Sequence, residues 1–405
     1  MYIKRHMEPV VKKASKMFGA VLVTGSRQVG KTTMLREMYP DIRFVSLDDK
    51  LRLSSALNEG MTFFKDFPPK VFIDEVQRAP NLFMIMKMIM DEKKEKGMFF
   101  LSGSQQFRMM RNVSESLSGR MGVLTLSGLS MREISGTSFS RPFIPTDGYF
   151  DERMRTYEPV DYDSLWRTIQ RGTLPELFMN EEYDHGLYYS SYLATYLERD
   201  IRELINIENE LKFVRFMTVL AGRTGAVLNL SSMASDVGIS VPTAERWLSL
   251  LRTSNIVYLL QPYHNNITNR MIKMPKVYFL DTGLATYLTR WNTPEVMRDG
   301  AMAGAFFETF VISEVLKSYY NAGIEDPHLY YYRDKEGNEI DLLIEENGVL
   351  HPIEIKKSSD PEKKDIKAFR FVDKLGKRGQ GGIVCTYDGL LSLDSNDKII
   401  PVGMI

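Results

Sequence analysis

Residues 21–33 read Val21-Leu-Val-Thr-Gly25-Ser-Arg-Gln-Val-Gly30-Lys31-Thr32-Thr33. The apolar run ending at Thr24 predicts a buried strand. Gly25-x4-Gly30-Lys31-Thr32 and the helix-like stretch from Met34 to Met38 complete the order strand, glycine-rich loop, helix. That order suits phosphate, because glycines let backbone N–H groups curl around oxygens and the helix N-terminus adds its positive end. Gly25, Ser26, Arg27, Gln28, Val29, Gly30, Lys31, Thr32 and Thr33 are therefore expected around a nucleoside triphosphate, taken as ATP. Lys31 reaches the β- and γ-phosphates, and the Thr32 hydroxyl ligates Mg²⁺.

Working outward, Ile42–Leu47 is a candidate second strand, and Lys70-Val-Phe-Ile-Asp74-Glu75 is an apolar strand ending in two carboxylates. Asp74 is expected to hold Mg²⁺ and Glu75 to polarise the attacking water. Met98–Ser104 is a third buried run, and either Ser102 or Ser104 would face the γ-phosphate; Ser104 is taken as the sensor. Arg120 precedes a short alternating strand and is a candidate arginine finger, in cis or in trans. Strands alternating with helices over 19–130 predict a parallel sheet with phosphate at the strand C-terminal ends.

Composition bounds the rest. At 405 residues the chain is expected to hold more than one domain. Its 52 Lys+Arg offset its 52 Asp+Glu, so any basic surface must be local. The single cysteine, Cys385, excludes an intrachain disulfide and a cysteine zinc cluster, and suits a reducing cytoplasm. No apolar run approaches the roughly 18–20 residues of a membrane span, and the N-terminus lacks a secretory h-region. Met84, Met86, Met88 and Met90 read as adaptable core filler.

The motifs Gly25–Thr32, Ile73-Asp-Glu-Val-Gln-Arg-Ala-Pro80 and Gly119-Arg120 resemble those of prokaryotic ATPases of the AAA superfamily. The likeness continues in Tyr196–Asp200, Asn229–Ala234 and Pro275–Leu284. It implies an ATPase core joined to a winged-helix segment and a restriction-endonuclease-like domain. The expected organisation is an ATPase core over 1–150, a linker and helical lid over 151–215, a winged helix over 216–290 and a nuclease-like α/β domain over 291–405. Within it, 136–160 reads as a long surface loop or linker. The second winged-helix helix offers Thr243, Glu245, Arg246 and Ser249, a poor electrostatic footprint for DNA, with Arg252, Arg270, Lys273 and Lys276 as candidate phosphate contacts.

A second site is read from Glu339–Lys356. Asn347-Gly348 favours a two-residue type I′ hairpin, which pairs residue 346 with 349 and sets Asp341 opposite Glu354. In that register Ile340, Leu342, Ile344, Val349, Ile353 and Ile355, apart from His351, form the buried face. Opposed carboxylates destabilise a strand pair unless a cation neutralises them, and a divalent cation takes oxygen ligands. Asp341-x12-Glu354-x-Lys356 also matches the PD-(D/E)xK nuclease pattern, with Glu308 as the upstream helix glutamate. Asp341, Glu354 and Glu308 would hold the metal and Lys356 the attacking water. Pro352 in the second strand suggests an edge or a bulge. The combined expectation is an ATPase, a candidate homo-oligomer, whose nucleotide state gates a metal-dependent nuclease-like domain on DNA. The alternative is an ATPase switch that binds DNA or a protein without cleavage.

Overall fold

The computed structural model describes residues 2–104, 117–197, 210–264 and 274–405. The chain divides into two compact units. One comprises Met1–Leu129, Thr253–Asn255 and Tyr320–Glu325; the other comprises Ser130–Arg252, Ile256–Tyr319 and Asp326–Ile405.

The first unit is built on β1 (Ala20–Thr24), β2 (Arg43–Ser46), β3 (Val71–Asp74), β4 (Phe99–Ser102) and β5 (Met121–Thr125), in the order β2-β3-β4-β1-β5. All neighbours are parallel, so every strand delivers its C-terminal residue to the same end of the sheet. β1 is buried at each position, as its unbroken apolar sequence requires of a strand covered on both faces. Helix α1 (Glu8–Met17) turns Val11 and Ala14 inward, and α2 (Lys31–Met38) follows the glycine-rich loop. The methionines of the helix Asn81–Lys93 divide by helical period: Met86 and Met90 are buried, whereas Met84 and Met88 are exposed. Only half of that run is core filler.

The second unit carries, among the described residues, a nine-stranded sheet. Its members are β6 (Val257–Pro262), β7 (Lys276–Phe279), β8 (Leu329–Arg333), β9 (Glu339–Glu346), β10 (Val349–Ile355), β11 (Lys377–Arg378), β12 (Gly381–Cys385), β13 (Leu391–Ser392) and β14 (Asp397–Pro401). The order is β13-β14-β12-β10-β9-β8-β6-β7, with β11 beside β10. β8, β9 and β10 run antiparallel, whereas β10, β12 and β14 are parallel. The β9–β10 register is Val349↔Glu346 through Ile353↔Leu342, with Asn347 and Gly348 both at positive φ, as a type I′ turn demands.

Several expectations change. Leu343, Leu350 and Pro352 are as buried as Leu342 and Ile353, so both hairpin faces are covered rather than one. The segment Lys363–Leu375 packs Ile366, Phe369 and Val372 onto Leu343 and Leu350. Pro352 marks neither an edge nor a bulge in the β9–β10 pair. It sits where the other neighbour of β10 changes from β11, paired at Val349 and Leu350, to β12, paired from Ile353.

The stretch 136–160 is only in part a surface loop: Asp147–Arg153 is a helix, and apolar side chains on and before it are buried. Phe143, Tyr149 and Phe150 are buried, Phe143 N–H donates to Ser318 Oγ at 2.9 Å, and Tyr149 O–H donates to the Met404 carbonyl at 2.8 Å. Residues 130–150 accordingly belong to the second unit. The helices Tyr162–Arg171 and His185–Tyr196, expected as a lid beside the nucleotide, pack in that second unit on the helix Thr282–Thr289. Asp281, its N-cap, accepts from Thr173 N–H at 3.0 Å and from Tyr189 O–H at 2.5 Å. The end of the expected lid, 198–206, lies outside the described residues.

The segments 216–290 and 291–405 also form one body. Helices Glu210–Ala221, Leu230–Val237 and Val241–Thr253 bury Trp247 against Phe213 and Phe216. The strands that follow enter the C-terminal sheet. β7 pairs Val257–Leu260 of β6, and β8 pairs Gln261 and Pro262. Thr224 Oγ1 and Thr309 Oγ1, 2.8 Å apart, tie the same region to the long helix Ala303–Asn321. A fragment cut at residue 291 should therefore lose β6, β7 and the buried Lys276 that pairs with Glu308. Removing one partner of a buried ion pair costs about 3–5 kcal/mol. Circular dichroism with urea titration should show no cooperative unfolding for 291–405, but a cooperative transition for 130–405.

Candidate functional site

At the C-terminal end of the first sheet, Gly25 adopts φ 141° and Gly30 φ 91°. A Cβ on Gly25 would lie 2.0 Å from the Leu126 carbonyl oxygen, so the loop tolerates no side chain there. Lys31 Nζ donates to the carbonyls of Gly25 at 2.9 Å and Ser26 at 2.7 Å, folding the ammonium back over the loop. Thr32 Oγ1 lies 3.1 and 3.2 Å from the two oxygens of Asp74, at the end of β3. Hydroxyl and carboxylate thus meet where a loop-bound metal would be held.

Because β4 lies between β1 and β3, Ser102 enters this group and donates to Asp74 Oδ1. Ser104, the expected sensor, is buried, and its hydroxyl has no hydrogen-bond partner among the described residues. Glu75 occupies the left-handed region at φ 55° and accepts from Gln77. Burial pushes its carboxyl up, with Lys31 opposing the rise and Asp74 adding to it.

Arg120 is corrected as a cis finger. Its guanidinium pairs with Asp91 at 2.6 Å, and its carbonyl accepts from Gly19 and Ala20, at the start of β1. Five residues of strand at about 3.3 Å each separate that edge from the phosphate end, about 16 Å in all. Arg5, in contrast, belongs to no motif, and nothing in its local sequence marks it. Buried at 2% exposure, it donates to the Val29 carbonyl at 2.7 Å and to the Ser127 carbonyl at 2.8 Å, pinning the loop to the segment after β5.

The second cluster lies wholly in the second unit. Asp341 and Glu354, from β9 and β10, are 9% and 7% exposed. Asp341 Oδ2 accepts from Ile355 N–H at 2.9 Å, and Lys356 Nζ donates to Glu354 Oε1 at 2.6 Å. Glu354 Oε2 is buried without a hydrogen-bond partner among the described residues. Glu308, on the long helix, accepts from Tyr278 O–H at 2.5 Å and from Lys276 Nζ at 3.0 Å. Lys276 also lies 2.5 Å from Glu339 Oε1 and 3.8 Å from Asp341 Oδ1. It is therefore a buried counter-ion, not a surface phosphate contact. Its sequence signal was a lysine at strand alternation with Tyr278, within an otherwise apolar strand. Arg270 and Lys273 lie outside the described residues.

Crowding perturbs Glu308, Glu354 and Asp341. Burial, then the Asp341 charge, pushes Glu308 up to about 7 against the pull of Lys276. The same two causes push Glu354 up to about 8 against Lys356. Burial also raises Asp341, with Lys276 opposing. The side chains fit a divalent cation in type: three mutually repelling carboxylates, one with an orphaned oxygen. As they stand, however, no three acidic, histidine or cysteine side chains among the described residues converge on a common metal position.

Among comparisons with known proteins, residues 18–135 match the family model described as an AAA domain. With the phosphate loop and the Thr32–Asp74 pair in place, the first unit defines a P-loop ATPase, and the chain is an ATP-hydrolysing enzyme whose first unit is similar to AAA domains. Residues 162–295 and 303–405 match two domains of unknown function, DUF8612 and DUF4143. Uncharacterized proteins of Mycobacterium tuberculosis and Mycobacterium bovis are each 28% identical over 343 residues, covering 84% of this chain and 71% of theirs. Among solved structures, a Walker-type ATPase of Pyrococcus abyssi is 14% identical with a TM-score of 0.42, over 69% of this chain and 94% of that one. The RuvB Holliday junction branch migration motor of Thermotoga maritima is 14% identical with a TM-score of 0.31, over 62% and 86%. No helix among the described residues is long and apolar enough to cross a membrane.

The raised carboxylates carry a sign. A glutamate held protonated in the fold adds stability below its ordinary value near 4.5, and that stability is lost as pH climbs through about 7 for Glu308 and about 8 for Glu354. A tenfold change in proton affinity between the folded and unfolded chain is worth about 1.4 kcal/mol. The metal-free chain should lose several degrees of unfolding midpoint across this window. Glu354→Gln, which cannot ionise, should flatten the loss in a thermal scan against pH.

Proposed function

We propose that the chain uses ATP binding and hydrolysis in its first unit to drive or gate a metal-dependent, nuclease-like centre in its second, acting on DNA. The observation that carries this reading is that Asp341, Glu354 and Glu308 are buried close enough to raise one another's proton affinity, with Lys356 on Glu354 and an unsatisfied oxygen at Glu354 Oε2. Glu308, Asp341 and Glu354 are the residues that would hold Mg²⁺. When bound, the metal would supply Lewis-acid stabilisation of charge developing on a scissile phosphate. Lys356, half-buried beside Glu354, would orient water or stabilise the same charge.

In the first unit, Thr32 and Asp74 would hold Mg²⁺, Lys31 would bind the phosphates and Glu75 would polarise water, with Ser102 fixing Asp74. The chain continues from the helix bearing Glu308 into Tyr320–Glu325, residues that cluster with the first unit. There Glu325 accepts from Thr125 N–H at 2.7 Å, at the phosphate end of β5. That continuity supports coupling of nucleotide state to the second unit. The helix Val241–Thr253, with Glu245, Arg246 and Ser249 on its outer turns, is assigned as the second helix of a winged-helix element serving mainly as scaffold.

A second reading is favoured by the engagement of Lys276: a nucleotide switch whose second unit binds DNA or a protein without cutting. Supercoiled and single-stranded DNA incubated with Mg²⁺ or Mn²⁺, with and without ATP, separate the two. Cleavage by the wild type that is absent in Asp341→Ala is expected. Intact DNA in every condition, with ATP hydrolysis retained, would leave the switch. For the first unit, Glu75→Gln should slow steady-state phosphate release about 10²-fold or more, while equilibrium binding of a fluorescent ATP analogue persists.

A further inference from the structure

Lys276 is 3% exposed at the start of β7, and its ammonium meets Glu308 at 3.0 Å, Glu339 at 2.5 Å and Asp341 at 3.8 Å. A buried ammonium is poorly tolerated without hydration unless carboxylates replace the lost water, and three do so here. Burial works against its charge, yet Glu308, Asp341 and Glu339 hold its pKa above the ordinary lysine value. The face of Tyr331, 5.7 Å from Nζ, completes the enclosure. Lys356, by contrast, is 39% exposed and engages the Glu354 end of the cluster. Arg333 reaches Glu339 at 3.6 Å from an exposed position.

The two oxygen-rich positions thus differ in kind. On the Glu308–Asp341 side the negative charge is already met by a tethered cation. On the Glu354 side one buried oxygen, on a residue 7% exposed, has no hydrogen-bond partner among the described residues. A divalent cation drawn to the open oxygen also needs Asp341 and Glu308, and both are in the grip of Lys276.

We infer that Lys276 is a built-in competitor for the metal: its ammonium stands in for a divalent cation among Glu308, Glu339 and Asp341, and metal binds only by displacing it. This rests on the metal-binding reading of the cluster and assigns the determinant of its affinity to a residue outside the Asp341-x12-Glu354-x-Lys356 pattern. Displacement leaves Lys276 to Glu339, which lies nearest to it. The ion pair with Glu339 is therefore the resting place of the lysine in the loaded site, and Lys276 tunes occupancy without being a ligand.

The test is Mn²⁺ binding by the full-length, nucleotide-free chain, followed by isothermal titration calorimetry, for the wild type, Lys276→Met, Lys276→Gln, Lys276→Arg and Asp341→Asn, each checked for folding by circular dichroism. The Asp341-dependent dissociation constant should fall about tenfold or more in Lys276→Met or Lys276→Gln, a change of about 1.4 kcal/mol. It should stay near the wild-type value in Lys276→Arg, which keeps the charge. If Lys276→Met fails to fold, Lys276→Gln is read in its place. If neither folds, Lys276→Arg decides, because a structural role for the ammonium alone would leave its Mn²⁺ constant shifted by the altered packing. Affinity unchanged or weakened in the neutral variants, with Asp341→Asn still abolishing binding, overturns the competitor role and leaves the metal site standing. Absence of Asp341-dependent binding in every variant overturns the metal site and the competitor together.

Discussion

Carboxylates withdrawn from water need a positive or donor partner, and both units of this chain are arranged around that need. In the first, Asp74 at the end of β3 is met by the hydroxyls of Thr32 and Ser102, and the neighbouring Glu75 feels Lys31. In the second, Glu308, Asp341 and Glu354 share two lysines, and the shortfall shows in raised carboxyl groups and in the orphaned oxygen of Glu354. Neither arrangement is a surface ion pair, where net gain is small. Each is a place where loss of one partner leaves a charge stranded in low dielectric, so the elements that carry the partners are held together by it.

The two sheets present these groups differently. A parallel sheet gathers all its C-terminal ends on one side, so a loop after β1, a carboxylate after β3 and a hydroxyl after β4 meet without special turns. The second sheet gathers its charges within strands, from adjacent β9 and β10, and then closes the cluster with a helix residue, Glu308, and a residue of β7. β7 reaches the cluster because it takes only the first half of β6 and leaves the second half to β8, which places Lys276 beside Tyr331.

Much of this was legible in sequence wherever chemistry is local. Gly25-x4-Gly30-Lys31-Thr32 specifies its own backbone path, since positive φ at Gly30 and the close approach at Gly25 demand glycine. Asn347-Gly348 fixed the hairpin register through Ile353↔Leu342, and with it the nearness of Asp341 and Glu354 one residue beyond, because a type I′ turn allows one pairing. Alternation misled where a second layer covered the outer face. Leu343 and Leu350 were the sign that the charged face of β9–β10 would also be roofed, by Lys363–Leu375. The place of Arg120 was not legible, because a glycine-arginine dipeptide says nothing about which end of the next strand it occupies.

By itself, then, the sequence determined the nucleotide loop, the strand-end carboxylates, the hairpin and the acidic pair upon it. Each is set by interactions spanning a few residues or one turn. The tertiary structure decided that Ser102 serves Asp74, that Phe143, Tyr149 and Phe150 are core, that β6 and β7 belong to the C-terminal sheet, and that Lys276 enters the acidic cluster. These outcomes join residues tens to hundreds of positions apart. They follow from which apolar faces find each other and which buried charges must be matched, and no local pattern encodes either.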